Sequence, residues 1–238
     1  MKSMLFLALA SLLTLPSTAS AEPMTIETRK LDVTFHISHP AKEFDSFLLP
    51  DGGLGTITID PQAMEATKAA FSLKVDHFNS DNTRRDSHMI EVMEGLVFPT
   101  IDWDVQSVSG ATGPWTPGVH SFKAKGPITV HGVTKAIEVP VEFTIGGQGE
   151  ITFGANFTVG LEDYGIERPT LVFVPIENEV PIIVKVDTKP NPDLVAAAAA
   201  KPEPPASTPE GSEEAAPDAA ASETDAPAEP VDEPAKNE

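Results

Sequence analysis

The residues best equipped for chemistry cluster in one short run, Asn82-Thr-Arg-Arg-Asp-Ser-His-Met-Ile90. A guanidinium suits a phosphate, so Arg84 or Arg85 could meet an anionic group. The same residues also have a structural use. Asp86 can cap a helix and an Arg can tie that helix to nearby carbonyls. Arg84, Arg85, Asp86 and His88, with the apolar Met89 and Met93, form the most concentrated candidate site in the chain.

Other constellations are weaker. His36-x-x-His39 invites a metal, but on a strand these two positions point to opposite faces, which is poor ligand geometry. His120 and His131 fall near strand ends and are expected on the surface. Asp102 and Asp104 are two apart on a polar face, as ordinary surface carboxylates are. Gly-x-Ser-x-Gly, His-Glu-x-x-His and phosphate-loop patterns do not occur. No catalytic residue, metal site or cofactor is expected, and the protein does not read as an enzyme.

There is no cysteine, which excludes disulfides, thiol catalysis and a lipid-modified cysteine anchor. Residues 1–21 combine a basic start at Lys2, an apolar run and Ala19-Ser20-Ala21, the form of a secretory signal. Export to the periplasm and cleavage after Ala21 are expected. No later segment is long and apolar enough to be expected to span a membrane as a helix.

Residues 191–238 are rich in Ala, Pro and Glu and are expected to form a disordered tail. Within it, residues 201–238 hold eleven acidic side chains against Lys201 and Lys236, a net charge of −9. With Lys2 in the leader, this leaves −12 of the total −20 for residues 22–200. That balance argues against nucleic acid and anionic membrane surfaces as partners.

The elements that must position the candidate site are strands. Period-two alternation runs through Leu31–Ile37, Ile57–Ile59, Ala69–Val75, Ile101–Val105, His120–Ala124, Ile137–Ile145 and Ile151–Val159. Residues 171–176 and 180–186 are more uniformly apolar, with Pro175 and Pro181 marking edges or bends. Turns are signalled at Asp51-Gly52-Gly53, Gly126-Pro127 and Gly146-Gly147. Between the third and fourth runs the period becomes helical. Thr83-x-x-Asp86 has the form of a capping box, Met89, Ile90 and Met93 share a face, and Gly95 is placed to take the left-handed C′ position. The prediction is an all-β protein: an antiparallel eight-stranded barrel in which closure removes exposed edges, with a short helical lid over 83–94.

Three stretches carry a family resemblance: NTRRDSHMI at 82–90, Phe98-Pro99-Thr100-Ile101, and GPITVHGVTK at 126–135. Asp163-Tyr164-Gly165-Ile166 is a fourth, weaker match. Together they resemble the YceI-like family of periplasmic polyisoprenoid-binding proteins, over about residues 25–187. The chain departs from the pattern at Leu161 and Glu162, where the family often has an Arg. The resemblance implies an extended lipocalin-like barrel at residues 22–190 whose lumen holds a long isoprenoid, either a polyisoprenoid or an isoprenoid quinone, for transport or storage.

Alternation alone fits a filled core better than a hollow one; the resemblance implies the hollow. The lumen is then expected to be lined by Phe35, Ile57, Phe71, Leu73, Val75, Ile101, Trp103, Val105, Val139, Val141, Phe143, Phe153 and Phe157. The expected partner is an isoprenoid lipid, with the protein a monomer or homodimer. The alternative is an envelope interaction module with a filled barrel.

Overall fold

The computed structural model describes residues 22–200 apart from Val172, so the expected signal and the acidic stretch after residue 200 lie outside the described residues. Eight antiparallel strands form the wall in chain order: β1 (Met24–Ile37), β3 (Gly53–Asp60), β4 (Ala63–Lys74), β6 (Thr100–Val105), β8 (Gly118–Val130), β9 (Val133–Ile145), β10 (Ile151–Gly160) and β13 (Glu179–Thr188). Each pairs with its neighbour, and β13 returns to β1 from Thr28↔Thr188 to Phe35↔Ile182. The sheet is therefore a closed up-and-down barrel with no free edge along its wall. Three short strands decorate it. β2 (Phe44–Leu48) takes over from β3 as the partner of the second half of β1, β5 (Phe78–Asn79) pairs with β2, and β7 (Ser107–Ser109) pairs with β8.

Several local expectations need correcting. Gly126-Pro127 is not a turn, because β8 runs straight through it. Asp102 and Trp103 of β6 face Thr129 and Ile128, whereas Ser107 of β7 faces Lys125, so the β6–β7 side has one extra residue at this point. This is a bulge, and Gly126 permits it: a Cβ there would lie 1.8 Å from the Asp104 carbonyl oxygen. The β8–β9 hairpin instead turns at His131-Gly132, both in the left-handed region at φ 50° and 72°. Residues 171–176 are not a wall strand; β11 (Thr170–Leu171) and β12 (Val174–Pro175) form a separate small hairpin.

The lid helix α1 spans Thr83–Val92. Its N-cap is Asn82, not Thr83: the Asn82 side chain accepts from the Arg85 amide at 3.1 Å. At the other end Glu94, with φ 45°, takes the left-handed position expected of Gly95. Gly95 instead donates its amide to the Ile90 carbonyl, which closes the helix.

The folded part also extends past the expected boundary at residue 190. Pro192–Ala199 form a second helix, α2, with Pro in its first turn and a run of strong helix formers behind it. Eight residues are too few to be helical alone. Leu194 is 0% exposed and Ala198 is buried, both within the main core, and Gln62 Nε2 donates to the Ala197 carbonyl oxygen.

Candidate functional site

The barrel has two unlike ends. At one lie the β3–β4 and β9–β10 turns, α2 and the loop between β7 and β8. That loop sends Trp115 inward, with its backbone amide on the Pro61 carbonyl at 3.0 Å. Trp115 is wholly buried, and its ring lies 5.2 Å from Phe143 and 6.4 Å from Phe153. Phe122 and Phe143 are 5.0 Å apart, and Ile59, Ile145, Ile151 and Leu194 are likewise buried in the same cluster. This end is plugged.

Beyond the plug the barrel is hollow. A cavity of about 930 Å³ runs toward the end covered by α1, near the top of the range of about 300–1,000 Å³ for small-molecule pockets. Its wall is overwhelmingly apolar. Of the expected lining, Phe35, Ile57, Phe71, Leu73, Val75, Ile101, Trp103, Val105, Val141, Phe153 and Phe157 face it. Val139 and Phe143 do not: Val139 is buried between its neighbours in the wall, and Phe143 is packed into the filled end between Trp115 and Phe153. Their strand alternates as expected, but a tryptophan from a distant loop occupies the space in front of Phe143.

The lining that sequence reading missed explains the hollow. Ala69, Ala124, Ala155, Gly154, Ser46 and Thr67 contribute small groups, and β1 and β13 add Leu31, Val33, Ile182, Val184 and Val186. Where inward positions hold Ala, Ser or Thr, opposite walls cannot meet. Phe71 and Trp103 stack at 6.1 Å along the wall, and Trp103 lies 6.3 Å from Phe157. Ser46 Oγ and Trp103 Nε1 are buried without a hydrogen-bond partner.

Arg84, Arg85, Asp86, His88, Met89 and Met93 all border the cavity. The inner pair are engaged with the protein. Asp86 accepts from the Ser80 amide at 3.0 Å and from its hydroxyl. Arg85 donates to Ser80 Oγ at 2.8 Å and to the Ser80 carbonyl at 2.6 Å, and its guanidinium stands 4.0 Å above the Phe44 ring. Together they pin the start of α1. Arg84 and His88 are exposed, and His88 Nδ1 lies 3.5 Å from Glu91.

The end of α1 is held differently. His131 is not a surface residue: its side chain wedges against Phe98 at 4.9 Å, Nδ1 lies 3.2 Å from the Tyr164 carbonyl oxygen, and Nε2 is 3.7 Å from Glu94. Tyr164 itself is buried, which together with nearby Asp163 raises its phenol above the ordinary range.

The remaining histidines serve the scaffold. His36 pairs with Asp45 at 2.7 Å. His39 accepts the Ala41 amide on Nδ1 and donates from Nε2 to the Val174 carbonyl oxygen. They have different partners and do not converge. His120 is half-exposed, with Nε2 2.8 Å from the Thr116 carbonyl oxygen. Asp102 is exposed and accepts from Ser72 and Thr100 on the outer wall, and Asp104 accepts from Gln106. Among the described residues no cluster of three metal-ligating side chains occurs, and no helix is long and apolar enough to cross a membrane.

Known proteins share this architecture. BcnA of Burkholderia cenocepacia superposes with a TM-score of 0.58 at 13% identity, covering 67% of this chain and 96% of its own. A polyisoprenoid binding domain from Saccharophagus degradans gives 0.54 at 11% identity, covering 69% and 97%. By sequence, UPF0312 proteins of Pseudomonas savastanoi and Azotobacter vinelandii are 30% and 27% identical, over 71% and 78% of this chain and 88% and 96% of theirs. The profile of the YceI-like domain matches residues 24–188, from the first wall strand to the last, and the chain belongs to that family.

Proposed function

We propose that the protein is an exported, non-enzymatic carrier or store of a long-chain isoprenoid lipid. The observation that carries this reading is the apolar cavity of about 930 Å³ inside a closed wall. Burying hydrocarbon is worth ~0.8 kcal/mol per CH₂, so such a slot holds a chain with few polar contacts. Ordering a flexible chain offsets part of that gain. A relative in fold is described as a polyisoprenoid binding domain, which supports an isoprenoid over other apolar guests. The leader-like sequence of residues 1–21 supports export to the periplasm.

A neutral head group, such as a quinone, suits this chain better than a pyrophosphate. Residues 22–200 carry −12, and Arg85 is already committed to Ser80 and Phe44. The alternative, an interaction module with a filled barrel, is disfavoured by the hollow beyond the plug.

Organic extraction of the purified protein followed by mass spectrometry tests the assignment. An isoprenoid lipid is expected, and Leu73→Asp, which places a carboxylate in the cavity wall, should fold yet retain none. Extracts free of lipid would remove the carrier function. A pyrophosphate species would overturn the head-group assignment alone.

A further inference from the structure

We propose that the lidded end of the barrel docks on a phospholipid bilayer, with Leu96 and Phe173 entering its interface. The proposal rests on the carrier reading for its choice of partner but on separate residues for its geometry. Leu96 is 97% exposed and Phe173 is 99% exposed, and Val97, Leu171 and Val174 are exposed beside them in sequence. Leu96 lies in the turn that follows α1, and Phe173 is at the tip of the β11–β12 hairpin. Both elements border the cavity, α1 through Arg84, His88 and Glu91 and β11 through Thr170 and Leu171. The greasiest exposed tips thus stand on the two elements at the opening.

Phe173 is also held in an unfavourable backbone conformation, φ 68°, where bulky residues are rare. A water-facing loop gains nothing by presenting a whole phenyl ring in this way. Charge points to the same partner. The folded part is acidic, yet the charged side chains bordering the cavity are Lys42, Arg84 and Arg85 against Asp86 and Glu91. Lys42 and Arg84 make no side-chain ion pair among the described residues. Cations beside apolar tips match the layering of a bilayer, with phosphates above acyl chains.

A long hydrocarbon loses ~0.8 kcal/mol per CH₂ on entering water, so a cargo of this kind must pass directly between bilayer and cavity. A second copy of the chain is a poorer occupant, because it would bring a second strongly acidic body against the first.

The test is flotation of the full chain with vesicles of phosphatidylcholine and phosphatidylethanolamine, beside the double variant Leu96→Glu/Phe173→Glu. Both side chains are fully exposed, so the melting temperature should not move. Wild type should float, and the variant should partition about tenfold or more less strongly. Wild type that stays in solution, or a variant that floats equally well, overturns the proposal. So does a dimer seen by light scattering that the variant abolishes while neither protein floats, since the occupant is then a second copy. Lipid extraction separates this from the carrier reading. Wild type that floats but carries no lipid upholds docking and removes the carrier; wild type that carries lipid but does not float does the reverse.

Discussion

The plugged and hollow ends of the barrel are built from the same alternating strands, yet one is solid and the other empty. At the solid end inward positions carry Phe143, Ile145 and Ile151, and Trp115 descends from a loop to fill the centre. A few residues along the same strands, Ala155 and Ala124 face a void, while Phe71 and Trp103 line its wall only half-buried. Alternation decides which side chains turn inward; their size, and what arrives from outside the strand, decides whether they meet. The two ends therefore perform different tasks. One supplies cohesion, and the other is free to hold a guest.

Truncation should expose the contrast most sharply. Trp115→Ala removes the centre of a packed cluster and should cost about 3–5 kcal/mol in urea unfolding. Phe71→Ala at the hollow end should cost only about 1–2 kcal/mol, since its ring already lacks neighbours on one side. Equal losses would mean that the two ends are packed alike. Enlargement should give the opposite pattern. Ile145→Phe overfills the plug and should cost about 1–3 kcal/mol. Ala155→Phe has the cavity to enter, so stability should hold while the yield of extracted lipid falls.

The lid gives a smaller effect. Arg85→Ala removes two hydrogen bonds to Ser80 and the contact with Phe44. It should loosen α1 by about 1–2 kcal/mol. Hydrogen exchange would show this as faster amides in 83–92 with β9 unchanged; acceleration throughout the barrel would make Arg85 a global support instead.

The smallest effect concerns pH. Burial holds the Tyr164 phenol above its ordinary value of 10.0. The stability it contributes is complete below that pH and declines as the pH rises toward the folded-state value. Tyr164→Phe should remove this part of the alkaline decline in melting temperature; an identical decline in both proteins would show that other groups cause it.

Much of this molecule was legible in its residues, for identifiable reasons. Leu31–Ile37 and Ile137–Ile145 alternate cleanly because each wall strand has one wet and one dry face. The position of the lid followed from helical spacing in 83–93. What escaped were features set by distant partners. Trp115 sits among Gly and Pro residues that announce a loop, and nothing local says that the loop folds into the barrel. Phe143 shares a stripe with Val141, and only Trp115 separates filled from hollow between them. The helix at Pro192–Ala199 looks like the start of a low-complexity tail, because its stability comes from burial of Leu194 rather than from its own sequence. At the end of α1, Glu94 rather than Gly95 took the left-handed turn, where His131 lies close to it.

The seam between β1 and β13 has a kinetic consequence. Every other pairing in the wall joins strands consecutive along the meander, but this one joins the first to the last, with Leu31 against Val186. Closing so long a loop carries the greatest entropic cost of any pairing in the wall, so it is expected to form late during folding. Until then the chain is an open curved sheet with two sticky edges, vulnerable to pairing with its neighbours. The inner compartment comes into existence only with that final zipping, so any guest enters after assembly rather than during it.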